Sequence, residues 1–253
     1  MRVALLLVLG LLAVPALAQE GGLPVNIEAD MLEFQQDKGL YIAKGNAVVE
    51  QDGITIRADQ LTASGARDGQ SFTRVQADGN VRISGKNGDI TGERGVYDLV
   101  REVAVLKGNN LRLTTPTDEV TATESLEFWQ KDNLAVARGQ ALARRGDNRI
   151  SADVLTAALA RNDQQQMEIR RVGAQGNVLV STPHEIARGE RGVYDVRRQL
   201  ATLEGNVRIT RGENQLNGGK AEINMATGVS RLLAGGGQRV RGLILPKNAP
   251  ELQ

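Results

Sequence analysis

Side chains able to do chemistry are few in this chain, and their spacing argues against catalysis. There is one histidine, His184, and no cysteine, which removes disulfides, thiolate metal sites and Cys–His nucleophilic pairs. His184 stands in Thr182-Pro183-His184-Glu185, where a lone imidazole reads as a solvated turn residue rather than a metal ligand or proton shuttle. The acids Asp30, Asp59, Glu93, Glu124, Asp153 and Glu190 recur about once per 31 residues. Calcium-binding β-rolls need a Gly-Gly-x-Gly-x-Asp nonapeptide, which is missing, and glycoside cleavage needs two carboxyls converging in one cleft. The acids are therefore expected to pair or to hydrogen-bond at strand ends. Arg82, Arg112 and Arg208 share one phase of alternating segments and are candidates for phosphate contacts. Trp129, next to Phe128, must point to the opposite face of its strand.

The elements that carry these residues repeat. GNVRI occurs at 79–83 and 205–209, with weaker copies beginning at Gly45, Gly108, Gly139 and Gly176, at intervals of 29 to 37 residues. A longer period lies over the short one, since GERGVYD at 92–98 returns at 189–195, 97 residues on. Within a copy, Val81 and Ile83 flank Arg82, Leu111 and Leu113 flank Arg112, and Val207 and Ile209 flank Arg208, the period of a strand with one buried and one wet face. Turn chemistry follows each time, as in Asp52-Gly53, Thr115-Pro116 and Gly212-Glu213-Asn214. Ile186 falls one residue off register, which predicts a bulge or an altered corner there. Residues 153–168 have high helix propensity, but the repeat register favours a strand running into a polar loop.

A second column gathers the aromatics, at Phe34, Tyr97, Phe128 and Tyr194. A leucine lies two residues before each phenylalanine (Leu32, Leu126) and a glycine two before each tyrosine (Gly95, Gly192). Large residues offset by small neighbours imply one inward surface. With only seven aromatic residues beside 29 glycines, the core must be thin and aliphatic. Single repeats cannot bury both faces, so they must stack. A parallel β-helix and an elongated jelly roll of two facing sheets both satisfy this, and the hairpin-like turns favour the jelly roll. One strand per wall per repeat predicts a length of roughly 30 Å.

The chain opens with Arg2, an apolar run from Val3 and the ending Ala16-Leu17-Ala18, the form of a secretory signal peptide cleaved after Ala18. The remainder then carries 30 basic and 30 acidic residues, which gives no general argument for nucleic acid. Aromatic girdles are missing, which argues against an outer-membrane barrel.

The opening ADMLEF at 29–34, the words GNVRI and GERGVYD, and the ending VRGLILPK at 240–247 resemble the LptA (OstA-like, organic solvent tolerance) family of periplasmic lipopolysaccharide transport proteins. The resemblance covers residues 25–247. It implies an all-β, open β-jelly roll of two facing, mostly antiparallel sheets, a single domain over residues 25–233 with a terminal strand and flexible tail at 234–253, and no enzymatic activity or cofactor. It also implies a periplasmic bridge carrying lipopolysaccharide between membranes of a Gram-negative bacterium. The expected partners are the inner-membrane LptC, the LptD N-terminal domain at the outer membrane, and further copies joined head to tail. Carried over by motif, Leu32, Phe34, Val81, Ile83, Tyr97, Leu111, Leu126, Phe128, Val178, Tyr194 and Ile209 would line the groove for acyl chains, with Arg82, Arg112 and Arg208 near phosphates at its mouth. The alternative is a structural or adhesive β-solenoid of the cell envelope, with a sealed interior and capped ends.

Overall fold

A computed structural model of the protein describes residues 25–65, 72–163, 167–224, 226–227, 229–235 and 239–245. The signal-peptide reading of residues 1–18 lies outside these. Apart from one turn of 3-10 helix at Gln36–Lys38, the regular structure is strand. In chain order the strands are β1 (Asn26–Glu28), β2 (Met31–Gln35), β3 (Leu40–Gln51), β4 (Ile54–Gly65), β5 (Phe72–Gly85) and β6 (Gly88–Asp98). The central set is β7 (Val103–Lys107), β8 (Leu111–Thr114), β9 (Glu119–Ala122), β10 (Ser125–Trp129), β11 (Leu134–Arg145) and β12 (Asn148–Arg161). The last are β13 (Met167–Ser181), β14 (Ile186–Asp195), β15 (Leu200–Arg211), β16 (Asn214–Asn224), β17 (Ser230–Leu233) and β18 (Arg241–Leu243).

Each long strand serves two walls. In β3, Leu40–Lys44 pairs with one half of β4 and Ala47–Gln51 with the other, and the ladder breaks at Gly45-Asn46 opposite Asp59. The same break recurs between β4 and β5, β5 and β6, β11 and β12, β13 and β14, and β15 and β16. One half of every strand thus belongs to an aromatic wall holding Tyr97, Phe128 and Tyr194, the other to an aliphatic wall holding Ile83, Ile90 and Ile209. All pairings are antiparallel, which decides against a parallel β-helix, and none joins a strand segment of one wall to the other. Among the described residues the strands cross from wall to wall only along a crease at the Gly-Asn corners. The result is an elongated, open jelly roll.

The crease has a local cause. Gly79 (φ 77°) and Asn80 (φ 48°) both adopt left-handed backbone, which turns the strand from one wall into the next. A Cβ on Gly79 would overlap the Asp59 carboxylate, and Asn80 donates its side-chain amide to that carboxylate at 3.0 and 3.1 Å. The clasp recurs as Asn46 to Asp30, Asn109 to Glu93, Asn177 to Asp153 and Asn206 to Glu190. The repeated acids are therefore corner acceptors. At the centre Gly139-Gln140 lacks the asparagine, and backbone bonds from Thr123 and Glu124 to Gly139 and Arg138 close that corner.

Two expectations are corrected. GNVRI is a bend inside a continuous strand, so each repeat adds two segments to each wall, not one. Fourteen segments in each wall at ~4.8 Å spacing give a length of roughly 60 Å, twice that expected. Ile186 pairs with Ser181 and faces out, while Ala187 takes the inward place; of the two readings of this position the altered corner holds, a four-residue turn closed by the Thr182 N–H on the Glu185 carbonyl at 3.0 Å, with no bulge in the ladder beside it. Residues 153–161 are strand, as the repeat register required.

Candidate lipid-binding groove

The inward side chains form rows along the walls. On the aromatic wall one row of cross-strand partners runs Tyr97, Ala104, Phe128, Ala135, Ala157, Val172 and Tyr194, the three aromatics separated by smaller residues. Tyr97, Phe128 and Tyr194 are buried. Next to the crease, Leu106 occupies the space a side chain at Gly92 or Gly95 would need, with its methyls 2.8 and 3.0 Å from those ideal Cβ positions, and Leu203 does the same over Gly192 at 3.1 Å. Gly92, Gly95 and Gly192 of the GERGVYD words are seats for leucines of the neighbouring strand, whereas Gly189 lies against the backbone carbonyl of Glu204. On the aliphatic wall Val81, Leu111 and Val178 are buried against the crease, and Ile83 and Ile209 lie one step toward the mouth.

Between the walls lie three apolar cavities in sequence, of about 610, 500 and 860 Å³ counting their open sides. The first contains Val81, Ile83, Tyr97 and Leu126; it shares Ile90 and Leu126 with the second, and the second shares Val172 with the third, which holds Tyr194. Leu111, Phe128, Val178 and Ile209 do not line these three; they pack in the cluster that supports them. Leu32 and Phe34 face the same way but lie on the edge strand β2, 62% and 48% exposed, since among the described residues no further strand covers them. Phe34 begins a short aromatic stack with Tyr41 (ring centroids 4.3 Å apart) that continues to Phe72.

The three arginines face outward from the aliphatic wall. Arg82 pairs with Asp89 at 3.1 Å, Arg112 with Glu119 at 3.4 Å, and Arg208 donates to Asn217 at 3.2 Å. They are the wet side of the alternation, directed away from the cavities. At the mouth the charge lies elsewhere. Asp118, whose side chain is 1% exposed, accepts from Arg145 Nε at 2.6 Å and caps its own turn through Thr115. Sequence reasoning did not find this pair, because 27 residues, with a corner and a hairpin among them, separate its members. Trp129 faces outward, as required, and its indole N–H donates to Glu127 at 3.0 Å. Burial pushes the Glu127 carboxyl up, but hydrogen bonds from Ser125, Trp129 and Arg138, with the Arg138 charge, hold it below the ordinary glutamate value. His184 is exposed in the turn between β13 and β14.

The ends of the roll are apolar as well. Among the described residues, eleven of fifteen exposed large hydrophobic residues lie in residues 25–34 or 229–245, at the two ends. Among the described residues β2 pairs only with β3, and β17 and β18 only with β16, so each end presents strand edges.

The sequence matches the family described as LptA/(LptD N-terminal domain) LPS transport protein twice, over residues 26–125 and 119–229. The chain belongs to this family. The two LptA/LptD N-terminal matches follow the 97-residue duplication, and the walls run unbroken across the join, where β7 pairs with β10 and β9 with β11. A protein of Rhizobium meliloti (strain 1021), named only as uncharacterized, is 31% identical over 98 residues, 36% of this chain and 53% of the relative. The chain thus spans about half the length of that curated relative. A solved structure of LptH, the LptA homologous periplasmic component of the lipopolysaccharide transport device from Pseudomonas aeruginosa, is 20% identical with a TM-score of 0.44, covering 51% of this chain and 95% of that one. Among the described residues no group of three or more His, Cys, Asp or Glu side chains is placed to hold a metal ion.

Proposed function

We propose that this chain is a periplasmic component of lipopolysaccharide transport that holds lipid acyl chains between its two walls and forms part of a bridge between the inner and outer membranes. The observation that carries the reading is the line of apolar cavities between sheets joined at one crease only. A sandwich would fill this space with its own side chains; walls that splay leave it for an apolar ligand. Each buried methylene stabilises the bound chain by about 0.8 kcal/mol, so a dozen contribute roughly 10 kcal/mol. Such a groove removes the main barrier to moving a lipid through water.

The acyl-chain lining proposed is Val81, Ile83, Tyr97, Leu126 and Tyr194, joined by Ile90, Leu155, Val172 and Leu203, with Leu32 and Phe34 at the entrance. Leu111, Phe128, Val178 and Ile209 support the lining from behind. The outward arginines are left out of the site. Residues 25–233 act as one continuous domain, and its apolar, unpaired ends add strands to like domains of LptC, LptD or a second copy. Two family-length units in one chain mean fewer copies per bridge than single units need.

Replacing Tyr97 with the photoreactive benzoylphenylalanine tests the reading. Irradiation in cells is expected to give a lipopolysaccharide adduct from Tyr97 and none from the same group at outward Arg82. A folded protein with no adduct from Tyr97, or equal adducts from both positions, refutes it.

A further inference from the structure

The 97-residue duplication places two tyrosines in equivalent surroundings, and they differ in one respect. Tyr97 donates its phenol to Gln130 Oε1 at 3.2 Å. Tyr194, only 8% exposed, has its hydroxyl enclosed with no hydrogen-bond partner among the described residues. Strand register shows the equivalence. Tyr97, Ala104 and Phe128 face one another across β6, β7 and β10, and Gln130 follows Phe128 by two; Tyr194, Ala201 and Ile223 do so across β14, β15 and β16, with an isoleucine where the first copy has Phe128.

Tyr194 lines the largest of the three apolar cavities. Val172, Val180, Ala187, Leu203 and Ile223 line its interior, while Asn148, Ser181 and Thr182 stand where the hairpins of the aliphatic wall meet solvent. Burial, with Asp195 nearby, raises the phenol above the ordinary tyrosine value against the opposing charge of Arg145, so the group is a neutral donor at any physiological pH. An enclosed donor without an acceptor is costly, and most buried polar groups avoid the state.

We propose that Tyr194 is a polar anchor within the groove, donating a hydrogen bond to the carbonyl oxygen that links an acyl chain to its headgroup, so that this cavity selects ester- or amide-linked chains over plain alkyl ones. The site deepens the groove reading above and rests on it. The chain lies among Val172, Val180 and Leu203, the carbonyl meets the phenol, and the headgroup emerges past Asn148 and Thr182. Tyr97 does not select, because Gln130 already accepts its proton.

Calorimetric titration of the full chain, freed of its first 18 residues, with diheptanoyl phosphocholine and with its ether-linked diheptyl counterpart, both below their micelle concentrations, separates the possibilities. The unmodified protein is expected to bind the ester about 5-fold or more tightly than the ether. Tyr194→Phe, which removes only the unpartnered hydroxyl and should melt no lower than the parent, is expected to abolish the preference; Tyr97→Phe is expected to keep it. The bound ester carbonyl should also show a lowered infrared stretch in the parent and not in Tyr194→Phe. Binding of both lipids with no preference, or a preference that survives Tyr194→Phe, overturns the anchor while leaving the groove. Failure of both lipids to bind overturns the groove reading and the anchor with it.

Discussion

Gly53 and Gly79 permit a controlled measurement of what the crease contributes. Both have left-handed backbone, at φ 74° and 77°, but Gly53 sits in a hairpin tip with no atom within 4 Å of an added Cβ, whereas Gly79 lies against Asp59. Gly53→Ala therefore reports the backbone cost alone, about 1–2 kcal/mol. Gly79→Ala carries the same cost and also displaces the carboxylate that Asn80 holds at 3.0 and 3.1 Å. Losing hydrogen bonds to a charged group at a partly exposed site adds about 1–2 kcal/mol, for a total near 3 kcal/mol. Urea unfolding should resolve the two variants as shifts of midpoint at unchanged slope. Asn80→Ala should cost the same increment without the backbone term, and the double variant Gly79→Ala/Asn80→Ala should fall short of the sum, because both break one clasp. If Gly79→Ala is no more destabilising than Gly53→Ala, the acid and asparagine contribute nothing and the corner rests on backbone conformation alone.

Two further outcomes follow from the charged groups. The Glu127 carboxyl is held below its ordinary value in the folded state, so its stabilisation is fully present above the unfolded glutamate pKa of about 4.5 and is lost as pH falls through the folded value. The stability difference between the parent and Glu127→Gln should thus be constant from neutral pH down to about 4.5 and shrink below it; a difference that persists at lower pH counts against the assignment. Arg145→Met leaves Asp118 charged and enclosed, which should cost about 3–5 kcal/mol by chemical denaturation, and Asp118→Asn in the same chain should recover much of it.

Much of the architecture is legible in the sequence because strand alternation is a local signal. Val81, Ile83 and Arg82 declare their faces within three residues, and the aromatic column can be counted out by hand. What local pattern does not carry is where a strand bends and what lies across from it. A Gly-Asn step before an alternating run reads as the start of a strand, and only the pairing of Leu40–Lys44 and Ala47–Gln51 with opposite halves of β4 reveals a bend within one, which doubles the length of the roll. Leu32 and Phe34 carry the right pattern but their exposure depends on being last in the wall, which is a property of position. Leu106 and Leu203 were findable: each lies 11 residues after the second glycine of a GERG word, and that coincidence marks them as the fillers of those glycines. Asp118 and Arg145 had no such marker, since their contact depends on which hairpins become neighbours.

The crease also governs how the cross-section can deform. Every ladder hydrogen bond runs within a wall, along the length of the roll, and every crossing between walls lies on the one line of corners. The body is therefore stiff lengthwise and compliant in its opening angle, like a book held by its spine. Widening the mouth breaks no ladder bonds; it is resisted by the corner clasps and by the apolar area it wets, about 25 cal/mol for each Å². A lipid held as proposed would restore that area and offset the resistance, so bulkier and slimmer passengers would share one backbone, each setting the angle at which the pages rest.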